Sequence, residues 1–286
     1  MGQTASGKSE LAERLAERFD AQLINADAFQ VYRGFDIGTA KPAARDQYLL
    51  LDIREPCEQF GVGEFALLAS DALTSLWEAG RSAILVGGTG LYIRALTEEY
   101  ADMGAAPSRE LRASLDRRLG SEGVESLASE LRRLSPGAAA RTDMSNPARV
   151  RRALEKVLCS GPSISFKLPP FRLTKAEVWR RPEDLGQRIE ARLDTMLREG
   201  WEREVRSLQA AGVRYEDPAM RAIGYRTIWR AIEGALPAEQ ARAEILSAMR
   251  SYAKRQRTWL RREPNLRQLD ASSGLQLQQA IELIRS

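Results

Sequence analysis

Near the start of the chain stands Gly-Gln-Thr-Ala-Ser-Gly-Lys-Ser, residues 2–9, which fits the pattern G-x-x-x-x-G-K-[ST] at every fixed position. The pattern is demanding. Glycines at 2 and 7, with Thr4, Ala5 and Ser6 between them, let backbone N–H groups wrap a phosphate. Lys8 supplies a mobile positive charge, and the Ser9 hydroxyl is a candidate ligand for Mg²⁺. A helix must follow at once, with its positive end on the anion. Residues 8–18, KSELAERLAER, are strong helix formers and meet that requirement. Such a loop normally also follows a buried strand, yet here only Met1 precedes it; this points to a truncated start, and a protein that begins here is expected to anchor the loop poorly. The loop specifies a di- or triphosphate with Mg²⁺, not ATP in particular.

The segments that follow fix the fold class. AQLINAD (21–27) reads as a short strand, YLLLDI (48–53) and SAILVGG (82–88) as strands buried on both faces, and 63–80 as a helix closed by Gly80. GTGLYIRAL turns into a helix. This alternation predicts an α/β fold, a P-loop-like parallel sheet flanked by helices, with its site at the carboxyl ends of the strands. From 105 to 171 the character changes to charged amphipathic helices ending in a linker at 160–171, which predicts a helical insertion domain. The core is then 1–104 with 172–286, its last part rich in helix and closed by a long one near 237–263.

Composition removes several classes. No run of eighteen apolar residues exists, so no membrane helix is expected. No signal peptide is readable, and Cys57 and Cys159 stand far apart, which predicts a cytoplasmic protein without a disulfide framework or zinc site. Histidine is absent, so any general base must be another group. LLLD, ending at Asp52, reads either as a metal-shell aspartate or as a buried strand ending in a turn.

The loop NADAFQVYRGFDIGTAKP makes the reading specific. With the phosphate loop, LVGGTGLYIRAL, NPARVRRALE, RIEARLDTMLREGWEREV, AIGYRTIW and YAKRQRTWLRR, it closely resembles the tRNA dimethylallyltransferase (tRNA isopentenyltransferase) family, in the family's order and over nearly the whole chain. The resemblance implies transfer of a five-carbon prenyl group from dimethylallyl diphosphate to N6 of the adenosine 3′ of the anticodon, in tRNAs reading codons that begin with U. The phosphate loop would then hold a prenyl diphosphate. Asp27 matches the family's catalytic aspartate, and a carboxylate base suits a protein without histidine. Thr4 falls near the reacting groups, and Arg192 matches an arginine placed on the diphosphate. Asp27, Ala28, Phe29 and Gln30 fall on the acceptor side, and Thr89 matches a tRNA-contacting threonine. Gly87, Gly88 and Gly90 would let backbone approach a ligand, or form a plain turn.

Residues 250–262 hold six basic side chains and no acid. On a helix Arg250, Lys254, Arg257 and Arg261 share one face, with Met249, Ala253 and Leu260 opposite, as suits a phosphate backbone. The resemblance adds Arg112 and the run Ala148, Arg149, Val150, Arg151 and Arg152 to the tRNA grip. The implied partner is the anticodon stem-loop, held by a monomer that splays out a base.

The chain departs from the family's usual pattern at Gln3 (usually Pro), Ala28 (usually Ser), and Tyr48 and Leu49 (usually a His pair). Ala28 puts in doubt one hydrogen bond to the acceptor. Three rivals stand against the main reading: a P-loop small-molecule kinase, a prenyltransferase acting on free adenine nucleotides, and a non-catalytic RNA-binding protein on the same fold.

Overall fold

A computed structural model describes residues 1–97, 108–159, 166 and 168–285. The chain divides into two compact units, Met1–Glu98 with Lys167–Ser286, and Glu99–Phe166. The expected start of the insert at 105 and most of the expected linker at 160–171 lie outside the described residues.

The larger unit opens with α1 (Lys8–Phe19), β1 (Gln22–Asn25), β2 (Tyr48–Leu49), α2 (Val62–Glu78), β3 (Ala83–Val86) and α3 (Gly90–Thr97). The strands run parallel in the order β2-β1-β3, with Leu23 opposite both Tyr48 and Ile84. β1 is the central strand, and its Leu23 and Ile24 are fully buried, as a short apolar run between two helical layers requires.

The run 48–53 does not form the continuous strand expected of it. Leu50 and Asp52 take left-handed backbone, with φ of 63° and 52°, so the chain turns after Leu49. The turn is fixed by charge: the buried Lys41 ammonium pairs with Asp52 and, at 2.8 Å, with Asp36, while Arg45 reaches both carboxylates. Asp52 therefore belongs to an ion cluster that ties the 30–52 segment together.

The smaller unit holds α4 (Arg109–Glu122), α5 (Val124–Leu134), α6 (Pro136–Ala140) and α7 (Pro147–Leu158). Leu115, Leu127, Leu131, Val150 and Leu154 close its core, each worth about 1.5–3 kcal/mol on burial. Asn146 caps α7 by accepting from the Ala148 and Arg149 N–H groups, at 3.1 and 3.2 Å.

The chain then returns to the larger unit with β4 (Lys175–Trp179), α8 (Pro182–Glu199), α9 (Trp201–Ala210), α10 (Tyr225–Ile232) and the long α11 (Ala238–Leu260). Beyond α11 come β5 (Leu266–Asp270), parallel to β4, and α12 (Gln276–Arg285), neither of which the sequence reading anticipated. Trp201, Tyr225 and Phe35 lie at the centre of a core shared by α8, α9, α10, α11 and the loop after β1.

The expectation of a loosely held phosphate loop is overturned. Met1 and Gly2 lie along β4: the Val178 N–H donates to the Met1 carbonyl at 2.9 Å, and Gly2 bridges Val178 in parallel.

Candidate active site

The loop from Gly2 to Gly7 is gripped from several sides. Gly7 caps α1 with φ 94°, and Ala5 also takes left-handed backbone, at φ 61°. A non-glycine residue there costs of order 1 kcal/mol and persists only when its surroundings impose it. Two arginines do so. Arg188 donates from Nε to the Ala5 carbonyl at 3.0 Å, and Arg180 from Nε to the Ser6 carbonyl at 2.8 Å. The Ser6 hydroxyl is buried without a partner. Gln3 does more than replace a proline: its side-chain amide donates to the Ala253 carbonyl of α11 at 2.9 Å.

Beside this loop lies a cavity of about 450 Å³. Thr4, Lys8 and Ser9 line it from the phosphate loop, Asp27 and Gln30 from the loop after β1, and Arg188 and Arg192 from α8. The structure thus brings together the phosphate-loop, catalytic and diphosphate candidates. Burial lowers the Lys8 ammonium to about 8, with the Arg192 charge acting in the same direction and Asp27 opposing. Burial likewise holds the Arg192 guanidinium below its ordinary range, with Asp27 as its counter-charge and Arg188 adding repulsion. Three cations, Lys8, Arg188 and Arg192, line the cavity against two carboxylates, Asp27 and Glu10, and this excess of positive charge suits a polyanion.

Asp27 is aimed by its neighbours. Asn25, at the end of β1, accepts from the Asp27 N–H at 3.1 Å and donates to the Leu50 carbonyl at 3.0 Å. Asp27 Oδ1 accepts from the Phe29 N–H at 2.9 Å. Gln30 donates to the Thr39 and Ala40 carbonyls at 3.0 and 3.1 Å, closing the GTAK turn onto the site. The Ala28 N–H donates to the Thr89 hydroxyl at 3.3 Å. Phe29 packs its ring on the core and does not line the cavity.

Gly87, Gly88 and Gly90 owe their lack of a side chain to protein packing. A Cβ at Gly87 would meet the Ala26 carbonyl oxygen at 2.1 Å, one at Gly88 the Gln256 amide at 2.1 Å, and one at Gly90 the Trp259 ring at 2.2 Å. Close approach between segments of the chain thus accounts for all three glycines, and Gly87 also lines the cavity.

None of the basic candidates on α11 lines this cavity. On α11, Met249, Ala253 and Leu260 are buried as expected, and Arg250, Lys254 and Arg261 are exposed, with Arg257 half-buried. Arg250 pairs with Glu190 at 3.2 Å, whereas Lys254, Arg257 and Arg261 have no carboxylate at ion-pair distance among the described residues. In the smaller unit, Arg112, Arg151 and Arg152 all reach the buried carboxylate of Glu155, and Arg149 reaches Asp143 at 3.4 Å. Ala148 is exposed. Val150 is fully buried in that unit's core, so its side chain cannot touch RNA, contrary to the expectation from the motif.

Sequence reasoning missed Arg188, Tyr252 and Gln256, all of which line the cavity. The readable signal for Gln256 is its place on the apolar face of α11, between Ala253 and Leu260. A glutamine at such a position must find partners.

Phosphate loop, cationic wall and the aimed Asp27 carboxylate are the features of a site for a phosphorylated substrate. A family model for IPP transferase matches residues 30–263. The chain is 41% identical over 278 residues to a tRNA dimethylallyltransferase of Geobacter metallireducens, covering 93% of this chain and 89% of that one. It is 40% identical to a tRNA dimethylallyltransferase of Halorhodospira halophila, covering 97% and 94%. The solved tRNA isopentenylpyrophosphate transferase of Bacillus halodurans superposes with a TM-score of 0.68 at 33% identity, covering 100% of this chain and 97% of that one. The chain belongs to the IPP transferase family, whose relatives here carry the name tRNA dimethylallyltransferase.

Proposed function

We propose that the protein transfers the dimethylallyl group of dimethylallyl diphosphate to N6 of the adenosine 3′-adjacent to the anticodon, in tRNAs that read codons beginning with U. The observation that supports this most directly is the shared cavity: Lys8, Arg192 and Asp27 line one space of about 450 Å³. In the reaction the allylic C1–O bond breaks, an N6–C1 bond forms, and pyrophosphate leaves. The N–H groups of the loop, Lys8 and Arg192 stabilise the charge that develops on the leaving group. Asp27 takes the proton that N6 sheds as the new bond forms; the Phe29 N–H on its carboxylate and the Asn25 side chain on its own N–H hold it at the cavity wall.

Ser9 lines the cavity beside Lys8, which fits Mg²⁺, an ion that keeps several waters and needs few protein ligands beyond phosphate oxygens. Among the described residues no group of three or more acidic or cysteine side chains would hold a metal alone. When bound, the ion would add positive charge against the diphosphate, with Ser9 as its protein ligand. Both cysteines are free and no described helix is long and apolar enough to cross a membrane, which supports a cytoplasmic enzyme; a monomer suffices for the chemistry.

The test is single-turnover transfer of labelled prenyl to an unmodified anticodon stem-loop, with Mg²⁺, with and without ATP. Label should appear on the RNA without ATP, and Asp27→Asn, which keeps the bond from the Phe29 N–H, should abolish it while RNA binding persists. Label on free adenine nucleotides alone, ATP turnover without transfer, or RNA binding that Asp27→Asn leaves as the only property of the parent would each sink this function.

A further inference from the structure

The buried face of α11 carries one side chain that does not belong in a core. Met249, Ala253 and Leu260 are apolar, but Gln256, on the same face, is only 6% exposed. Its carboxamide is fully used, and not within its own helix. Oε1 accepts from the Thr4 N–H at 2.8 Å, and Nε2 donates to the Gly88 carbonyl at 3.0 Å. Thr4 belongs to the phosphate loop; Gly88 belongs to the turn after β3. The hydroxyl of Tyr252, one helical turn earlier, lies against both Thr89 and Gln256. Gln3 returns the connection from the other side, donating to the Ala253 carbonyl at 2.9 Å.

Burying a carboxamide is unfavourable unless both of its ends are bonded, so these contacts constrain one another. The Thr4 amide is committed to protein. That fixes where the loop enters and leaves Gly7, Lys8 and Ser9 at the cavity to meet an anion. Only an uncharged amide meets all demands at this position. A glutamate would still accept from Thr4, but it would lose the bond to Gly88 and set a negative charge beside the diphosphate. A side chain at Gly88 would disturb the same contact, since its Cβ would displace the amide nitrogen.

We infer that Gln256 is a positioning residue for the diphosphate: its amide sets the spacing between the phosphate loop and the Gly88 turn, and through it the helix that bears the basic face also shapes the anion site. This rests on the transfer function proposed above.

The test compares the parent with Gln256→Met, Gln256→Glu and Gln3→Met. Pyrophosphate binding with Mg²⁺ is measured by calorimetry, stem-loop affinity by filter binding, and KM and kcat by prenyl transfer, with melting temperatures alongside. Gln256→Met should weaken pyrophosphate and raise the KM for dimethylallyl diphosphate by ~10-fold, with RNA affinity within about twofold of the parent. Gln256→Glu should weaken pyrophosphate further, because it adds charge. Gln3→Met, which removes the reciprocal bond only, should give a smaller loss of the same sign and stands in if Gln256→Met does not fold. Unchanged pyrophosphate affinity in Gln256→Met and Gln3→Met overturns the inference. So does an equal fall in pyrophosphate and RNA affinity that tracks the folded fraction, which would make the contact merely structural. A parent that binds pyrophosphate but transfers no prenyl group overturns the function and leaves this comparison readable, because calorimetry needs no turnover.

Discussion

Arg112 donates from Nε to the carboxylate of Glu155 at 3.1 Å, across 43 positions of sequence and from α4 to α7. Glu155 is 1% exposed and also receives Arg151 and Arg152, so one buried charge organises three of the four arginines placed in this unit's RNA grip. Glu155→Gln should destabilise the protein by about 1–3 kcal/mol, because it turns charge-assisted bonds into neutral ones while the arginines, each about a quarter exposed, keep access to water. Denaturant melts check the loss, and stem-loop affinity should fall with it.

Lys8 predicts a pH dependence with a definite sign. Its folded value near 8 lies below the ordinary 10.5, so the unfolded chain binds more protons between those values. The unliganded protein should therefore gain stability from this group as pH rises through that window. Pyrophosphate needs the charged ammonium, so its affinity should fall by up to ~10-fold per pH unit above that point. Calorimetry between pH 6.5 and 9.5 reads this (a range of ~3 units), with Lys8→Met as the baseline for the ionisation of pyrophosphate itself.

The glycines after β3 should respond differently to alanine. At Gly87 the new Cβ meets backbone, the Ala26 carbonyl, and the clash should cost about 1–3 kcal/mol of stability. At Gly88 it meets the side-chain amide of Gln256, which yields more readily than backbone, so melting should change less while the KM for the diphosphate rises. A Gly88→Ala protein that melts lower but keeps its KM would contradict this.

On α11 the unpaired cations make a salt-dependence prediction. Lys254→Gln and Arg257→Gln should each flatten the plot of log affinity against log salt by about 0.7–0.9 if each neutralises one phosphate. Arg250, paired to Glu190 at 3.2 Å, should contribute less. Stem-loop titrations from low to moderate salt check both.

What could be read from sequence was what is local. The phosphate loop, Asp27 at the end of β1 and the two faces of α11 follow from short-range spacing, and the structure has each where spacing puts it. The turn after Leu49 was not legible, because an apolar run reports burial and says nothing of backbone hand. The cause of that turn, Lys41 reaching both Asp36 and Asp52, joins residues whose proximity only the fold creates. β5 was missed because Leu266–Asp270 alternates weakly, with only Leu269 buried. Gln256 was not singled out, although its register between Ala253 and Leu260 already placed it inside.

The bond from Gln3 to Ala253 spans 250 positions. During synthesis the phosphate loop leaves the ribosome well before its anchors on α8 and α11. Until most of the chain has been made, Ala5 has nothing to impose its strained backbone, and the loop is an ordinary glycine-containing turn. The anion site is thus a late product of folding: a nascent chain should ignore pyrophosphate, and competence to bind it should arrive only as α11 emerges and docks.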